Sequence, residues 1–64
     1  MTDILTHTDG GVMTVTLNRV DKKNSITAAM YGAMADALQA AAGDAAIRVV
    51  VLQGHETVFS AGND

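Results

Sequence analysis

The segment from Ala28 to Ala42 constrains this chain more than any other. Alanine recurs at 28, 29, 33, 35, 37 and 40 to 42, and alanine gives up no side-chain entropy on entering a helix. Met30, Met34, Ala37, Leu38 and Ala41 follow at offsets of zero, four, seven, eight and eleven, which lays one apolar stripe along a helix of 3.6-residue period. Thr27 stands where its hydroxyl can accept from an unpaired N–H of the first turn, and Gly43 stands where the helix should stop. Small alanines keep such a helix thin enough to lie close on a sheet. At about 1.5 Å per residue it would run ~22 Å, comparable to a strand of about six residues with its connections.

Both flanks lean towards strand. Ile4 to His7 and Val12 to Leu17 are separated by Asp9-Gly10-Gly11, a turn cluster whose glycines take positive φ without penalty, so a hairpin is expected. In the second run Val12, Val15 and Leu17 are apolar and Thr14 and Thr16 are not. With Met13 as the exception, this alternation predicts a half-buried strand. Asn18 to Lys23 is polar and charged, an exposed connection. Beyond the helix, Ile47 to Leu52 is interrupted only by Arg48, and its β-branched density suits a strand covered on both faces. Strand, helix and strand then make one β-α-β crossover. The helix can cover one face, but nothing else in the sequence is available for the other.

Composition narrows the class. Sixty-four residues suggest one domain at most, and a chain of this size buries only about 60% of the surface its unfolded form exposes. There is no Cys for a disulfide or a thiolate metal site, and His7 and His55 lie too far apart in sequence for a local metal motif. A net charge of -3, with Arg19, Lys22, Lys23 and Arg48 forming no stripe and only Tyr31 and Phe59 as aromatics, argues against nucleic acid as a partner. The N-terminus has neither a basic n-region nor an apolar h-region, and no apolar run approaches the roughly 20 residues that span a bilayer. A soluble cytoplasmic protein without membrane contacts is expected.

Several short motifs stand in one order along the chain: Val15-Thr16-Leu17-Asn18-Arg19, Lys22-Lys23-Asn24-Ser25-Ile26, a helix with Met30 and Leu38, Asp44 with Ile47-Arg48-Val49-Val50-Val51-Leu52-Gln53-Gly54, and Phe59-Ser60-Ala61-Gly62-Asn63-Asp64. Each is weak alone. Together, collinear over nearly the whole chain, they resemble the N-terminal region of the enoyl-CoA hydratase/isomerase (crotonase) superfamily. The resemblance implies an α/β fold, with this chain forming the N-terminal β-hairpin, helix and strand of a crotonase-like β-β-α spiral. Residues 1–64 would be the N-terminal part of one such domain, ending in or just after its first oxyanion-hole loop, with no second domain.

The resemblance also implies a site. In that family a thioester carbonyl of an acyl-CoA sits between two backbone N–H groups, which stabilise the enolate oxygen as charge develops. By position one of them is the N–H of Asn63, after a glycine that lets the backbone come close to the ligand. Ser60, Ala61, Gly62, Asn63 and Asp64 would line the substrate, and Lys22 would meet a phosphate of the CoA moiety as a flexible point charge. The family usually has proline after the arginine where this chain has Val20, so the start of that loop is less rigid. No cofactor is implied beyond the coenzyme A of the substrate itself, and no metal. A homotrimer or hexamer is expected by resemblance.

Each of these residues also has a plainer reading. Gly, Asn and Asp all favour turns, so Gly62-Asn63-Asp64 standing alone is simply a turn; the collinear context reverses that preference. Lys22 and Lys23 could equally be solvated loop charges. His7 and His55 are of the residue type most often used as acid or base, yet neither matches a family catalytic position. The methionines of the helix are core by default, and Gly10-Gly11 lacks the Gly-Lys ending of a phosphate loop. The resemblance places both hydratase glutamates and the second oxyanion donor beyond residue 64, and Glu56, the only Glu, matches neither. The expected activity is therefore that of a longer parent enzyme, hydrating trans-2-enoyl-CoA to 3-hydroxyacyl-CoA. Its alternatives are a Δ3,Δ2-enoyl-CoA isomerase or other acyl-CoA enzyme of the family and, from another class, a small non-catalytic α/β binding module.

Overall fold

The computed structural model describes residues 2–63. Its elements follow in the order β1 (Ile4–Asp9), β2 (Val12–Leu17), a 3₁₀ turn (Val20–Lys22), α1 (Ala28–Ala42) and β3 (Val49–Gln53). The sheet order is β1-β2-β3, with β1 antiparallel and β3 parallel to the central β2. This is the expected hairpin followed by a β-α-β crossover, and the fold class is α/β.

Gly10 and Gly11, at φ 57° and 85°, make the two-residue hairpin turn. Positive φ at both positions matches the twist of the flanking strands and is open to few residues but glycine. The register that follows pairs Ile4 with Leu17 and Asp9 with Val12, so β1 is two residues longer than its apolar pattern indicates. That register also settles the parity of β2. Met13, Val15 and Leu17 are buried, whereas Val12 is 36% exposed. Met13, set aside in the sequence pattern, belongs to the core face, and Val12 is the residue out of phase.

Helix α1 has the predicted ends. Thr27 Oγ1 accepts from the Met30 N–H at 3.1 Å, and the Thr27 N–H reaches Met30 Sδ at 3.5 Å, so the cap satisfies groups that the first turn leaves unpaired. Gly43 ends the helix in an ordinary right-handed conformation, φ -88° and ψ 0°. Its value there is as a stop, without any use of positive φ.

The core gathers Ile4, Met13, Val15 and Leu17 from the sheet and Met30, Ala37 and Ala41 from α1, with Ile26, Met34, Ile47 and Val50 packed on its margin. Leu38, expected in the stripe, is instead 45% exposed. At about 100° per residue it lies roughly 80° around the helix from Met30, outside the arc centred on Met30, Ala37 and Ala41. The third strand begins at Val49, since Ile47 closes a turn by donating to the Asp44 carbonyl at 3.0 Å. Val49 and Val51, beside Val12 and Thr14 in register, remain exposed on the sheet face opposite the helix. On the helix side Val50 is half-buried against the core while Leu52 is 50% exposed, so β3 is only partly covered on that face as well.

Candidate functional site

Strands β2 and β3 run in the same direction, so both end at one edge of the sheet, and α1 starts from that same end. Open α/β sheets place ligands at this end, where loops expose backbone groups. Two loops leave it here, residues 18–27 after β2 and 54–63 after β3.

The first loop is folded tightly on itself. The Arg19 carbonyl accepts from the N–H groups of Lys22 at 3.1 Å and Asn24 at 2.8 Å, and Arg19 Nη1 donates to the carbonyl and Oγ of Ser25 at 3.1 and 2.8 Å. Lys23 and Asn24 are both left-handed, φ 54° and 57°, a conformation that costs most side chains roughly 1–2 kcal/mol but that asparagine tolerates. Asn24 has no exposed surface. Its Oδ1 accepts from the Arg19 N–H at 2.7 Å and its Nδ2 donates to the Phe59 carbonyl at 3.2 Å. Both ends of a buried amide are thus satisfied, which burial demands.

Onto this platform the second loop is laid almost as an added strand. Ser60 Oγ donates to the Asn24 carbonyl at 2.8 Å and accepts from the Gly62 N–H at 3.0 Å. The Ala61 N–H donates to the Lys23 carbonyl at 3.0 Å, and the Ile26 N–H donates to the Gly62 carbonyl at 2.8 Å. A parallel bridge between Ile26 and Asn63 completes the pairing. Upstream, Gly54 lies so close to the backbone of Phe59 that an added Cβ would overlap it. Only glycine lets the strand exit fold back here.

The peptide group between Gly62 and Asn63 has a fixed direction. Gly62, at φ +95°, has its carbonyl engaged by Ile26, and a trans peptide points its C=O and the following N–H in opposite senses. The Asn63 N–H is therefore aimed away from Ile26, and among the described residues it has no acceptor. The Asn63 side chain is held in turn, because the Tyr31 hydroxyl of α1 donates to its Oδ1.

Of the residues anticipated from sequence, Ser60, Ala61, Gly62 and Asn63 thus form one continuous run along the clamp made by loops 18–27 and 54–63. Asp64 lies outside the described residues. Lys22 is exposed at the end of the 3₁₀ turn, while neighbouring Lys23 serves through its backbone. His7 is exposed on β1, paired in register with Thr14, and His55 Nδ1 stays within its own turn, accepting from the Thr57 N–H at 3.3 Å. Glu56 is exposed in that turn. Asn24 and Tyr31 are the participants that sequence reasoning missed. A single asparagine between lysine and serine was a faint signal of a left-handed position; the tyrosine, off the apolar stripe, gave none. A separate open cleft of about 170 Å³, lined by Thr2, Asp3, Ile4, Ala29, Met30 and Ala33, lies between the start of β1 and α1 and shares no residue with the clamp. No helix among the described residues is long and apolar enough to cross a membrane.

Residues 7–64 match the family model described as enoyl-CoA hydratase/isomerase. The chain belongs to that family. Among curated relatives of the family, the 1,2-epoxyphenylacetyl-CoA isomerase of Escherichia coli (strain K12) is 41% identical over 61 residues, 95% of this chain and 23% of the relative. Enoyl-CoA delta isomerase 2 of Rattus norvegicus is 39% identical over 61 residues, 95% of this chain and 15% of the relative. Among solved structures, the enoyl-CoA hydratase from Mycobacterium tuberculosis H37Rv superposes with a TM-score of 0.94 at 41% identity, covering 98% of this chain and 28% of that one. The chain therefore spans less than a third of each family member it is compared with here, and its hairpin, helix and strand are the crotonase fold's own.

Proposed function

We propose that this chain is the N-terminal segment of a longer enzyme that binds an acyl-CoA thioester and stabilises its enolate, with the Asn63 N–H as one of two donors to the thioester oxygen. The observation that carries the reading is the locked Gly62–Asn63 peptide. Its carbonyl is held by Ile26 at 2.8 Å, so the opposed N–H is presented outward before any ligand arrives. A donor preorganised in this way costs no reorganisation when charge develops, and one such donor is worth on the order of 3 kcal/mol in the transition state. Ser60 to Asn63 form the wall beside the thioester. Lys22, exposed at the rim, meets a phosphate of the coenzyme A portion. The substrate brings its own coenzyme A, and no further cofactor is required.

The reaction proposed is hydration of a trans-2-enoyl-CoA. Water oxygen bonds to C3, the displaced electron pair runs to the thioester oxygen as an enolate, and a proton is then placed on C2. Carboxylates elsewhere in the parent supply the acid and base. Isomerisation is the second reading: both curated relatives are named isomerases, and the name of enoyl-CoA delta isomerase 2 favours the double-bond shift. A proton leaves C2 of a 3-enoyl-CoA, the same oxygen holds the dienolate, and the proton returns at C4. Both reactions need the same anion site. The full-length protein, assembled as a trimer or hexamer like the family and acting in the cytoplasm, should be supplied with 2-enoyl-CoA and separately with 3-enoyl-CoA. Loss of conjugated-thioester absorbance with the first marks a hydratase, and its appearance with the second marks an isomerase; conversion of neither overturns the reading.

A further inference from the structure

We propose that Tyr31 is a positioning residue that holds the Asn63 main-chain N–H in line by way of the Asn63 side chain; the inference rests on the role proposed above for that N–H. A peptide group can reverse its N–H direction when ψ of the residue before it and φ of the residue after it turn in opposite senses. The flanking chain then stays in place. Gly62 removes the steric barrier to such a turn: it sits at φ +95°, it has no side chain, and nothing lies within 4 Å of where a Cβ would be, so only hydrogen bonds can hold the peptide.

Two latches act on the peptide from opposite sides. On the glycine side the Ile26 N–H holds the Gly62 carbonyl at 2.8 Å. On the asparagine side the Tyr31 hydroxyl holds Asn63 Oδ1, which restrains χ1 of Asn63 and with it the backbone. The anchors differ in kind. Residues 60–62 are tied to loop 18–27, whereas Tyr31 belongs to α1, its N–H bonded to the Thr27 carbonyl at 3.0 Å and its neighbour Met30 sunk in the core at 1% exposure. The hydroxyl is thus carried on a capped helix that packs on the core. From there it reaches across 32 positions of sequence to Asn63.

The test is a double-mutant cycle in the full-length protein with Tyr31→Phe, which removes only the hydroxyl, and Asn63→Ala, which removes only the acceptor. Misdirection of a single oxyanion donor should lower kcat about tenfold to a hundredfold in either variant, with KM changed by no more than about twofold. The double variant should be no slower than the slower single one, since one latch cannot be lost twice. Multiplying losses, an effect on KM alone, or an unchanged kcat in Tyr31→Phe overturns the inference. A second readout is independent of turnover: with selective ¹⁵N-asparagine labelling, the Asn63 N–H order parameter should fall from about 0.85 towards about 0.6 in Tyr31→Phe. Should the parent convert neither substrate, the proposed function fails by itself, and an unchanged order parameter would then reject the positioning role as well.

Discussion

The carboxamide of Asn24 donates to the carbonyl of Phe59 across 35 positions of sequence, at 3.2 Å and with no exposed surface. Through this contact the loop after β2 fixes the loop after β3, and everything from Ser60 to Asn63 is placed relative to it. The Asn24 carboxamide is buried, so it has much to lose if its partner is removed.

Substitution at position 24 should separate the two tasks of that asparagine. Asn24→Ala loses both hydrogen bonds and puts a Cβ-bearing residue without a local bond at φ 57°; a loss of about 3–5 kcal/mol is expected. Asn24→Gly loses the same bonds but accepts the backbone conformation, and should cost about 1–2 kcal/mol less than alanine. Urea denaturation of the full-length protein measures both, and equal losses would mean that backbone conformation plays no part.

The two glycines of the second loop should behave differently. Gly54→Ala would drive a Cβ into the Phe59 backbone and to 2.8 Å from the Val58 carbonyl oxygen, so the loop must move and stability should fall by about 2 kcal/mol or more. Gly62→Ala meets no atom and pays only for positive φ, about 1–2 kcal/mol. Its larger effect should be on turnover, because the strained peptide is the one carrying the Asn63 N–H. Thermal melts beside steady-state kinetics will show whether the two effects divide in this way.

Lys22→Ala should leave kcat unchanged and raise KM for an acyl-CoA by about threefold, as expected for one exposed ion contact of under ~1 kcal/mol. The same variant should show no change with a substrate truncated to the acyl-pantetheine, which lacks the adenosine phosphates. Raising the ionic strength should shrink the difference, since exposed charges are screened.

In the helix, Thr27→Ala should cost about 1 kcal/mol and Thr27→Ser much less, because the hydroxyl that accepts from Met30 at 3.1 Å is kept. Met30→Ala should cost about 2–5 kcal/mol for the cavity it leaves, against under about 1.5 kcal/mol for the volume-conserving Met30→Leu. Chemical denaturation midpoints order the four variants. A Met30→Ala loss as small as that of Met30→Leu would contradict the buried position.

Much of the architecture is legible in the chain itself. Helix bounds 28 to 42 follow from alanine content, the Thr27 cap and Gly43, all local effects that act within one turn. The hairpin follows from Gly10-Gly11, but the face of β2 does not: Met13 and Val12 exchange places because the parity of a strand is set by its partner's register, which a run of mixed apolar residues leaves open. Leu38 shows the same limit in the helix, where a wide apolar arc includes residues that a three-stranded sheet is too narrow to cover. The resemblance points to the 60–64 run, yet neither Asn24 nor Tyr31 could be found from periodicity, since their partners lie 35 and 32 positions away.

The sequence by itself determined what local physics governs: a capped alanine helix, a glycine turn, a β-branched strand, and motifs specific enough to give the family. Tertiary structure alone decided how the two loops meet. A backbone amide has no side chain to mark it, and its direction is set by what holds the neighbouring carbonyl. Only folding brings the Ile26 N–H to Gly62 and the Tyr31 hydroxyl to Asn63, and the direction of the Asn63 N–H follows from those two contacts.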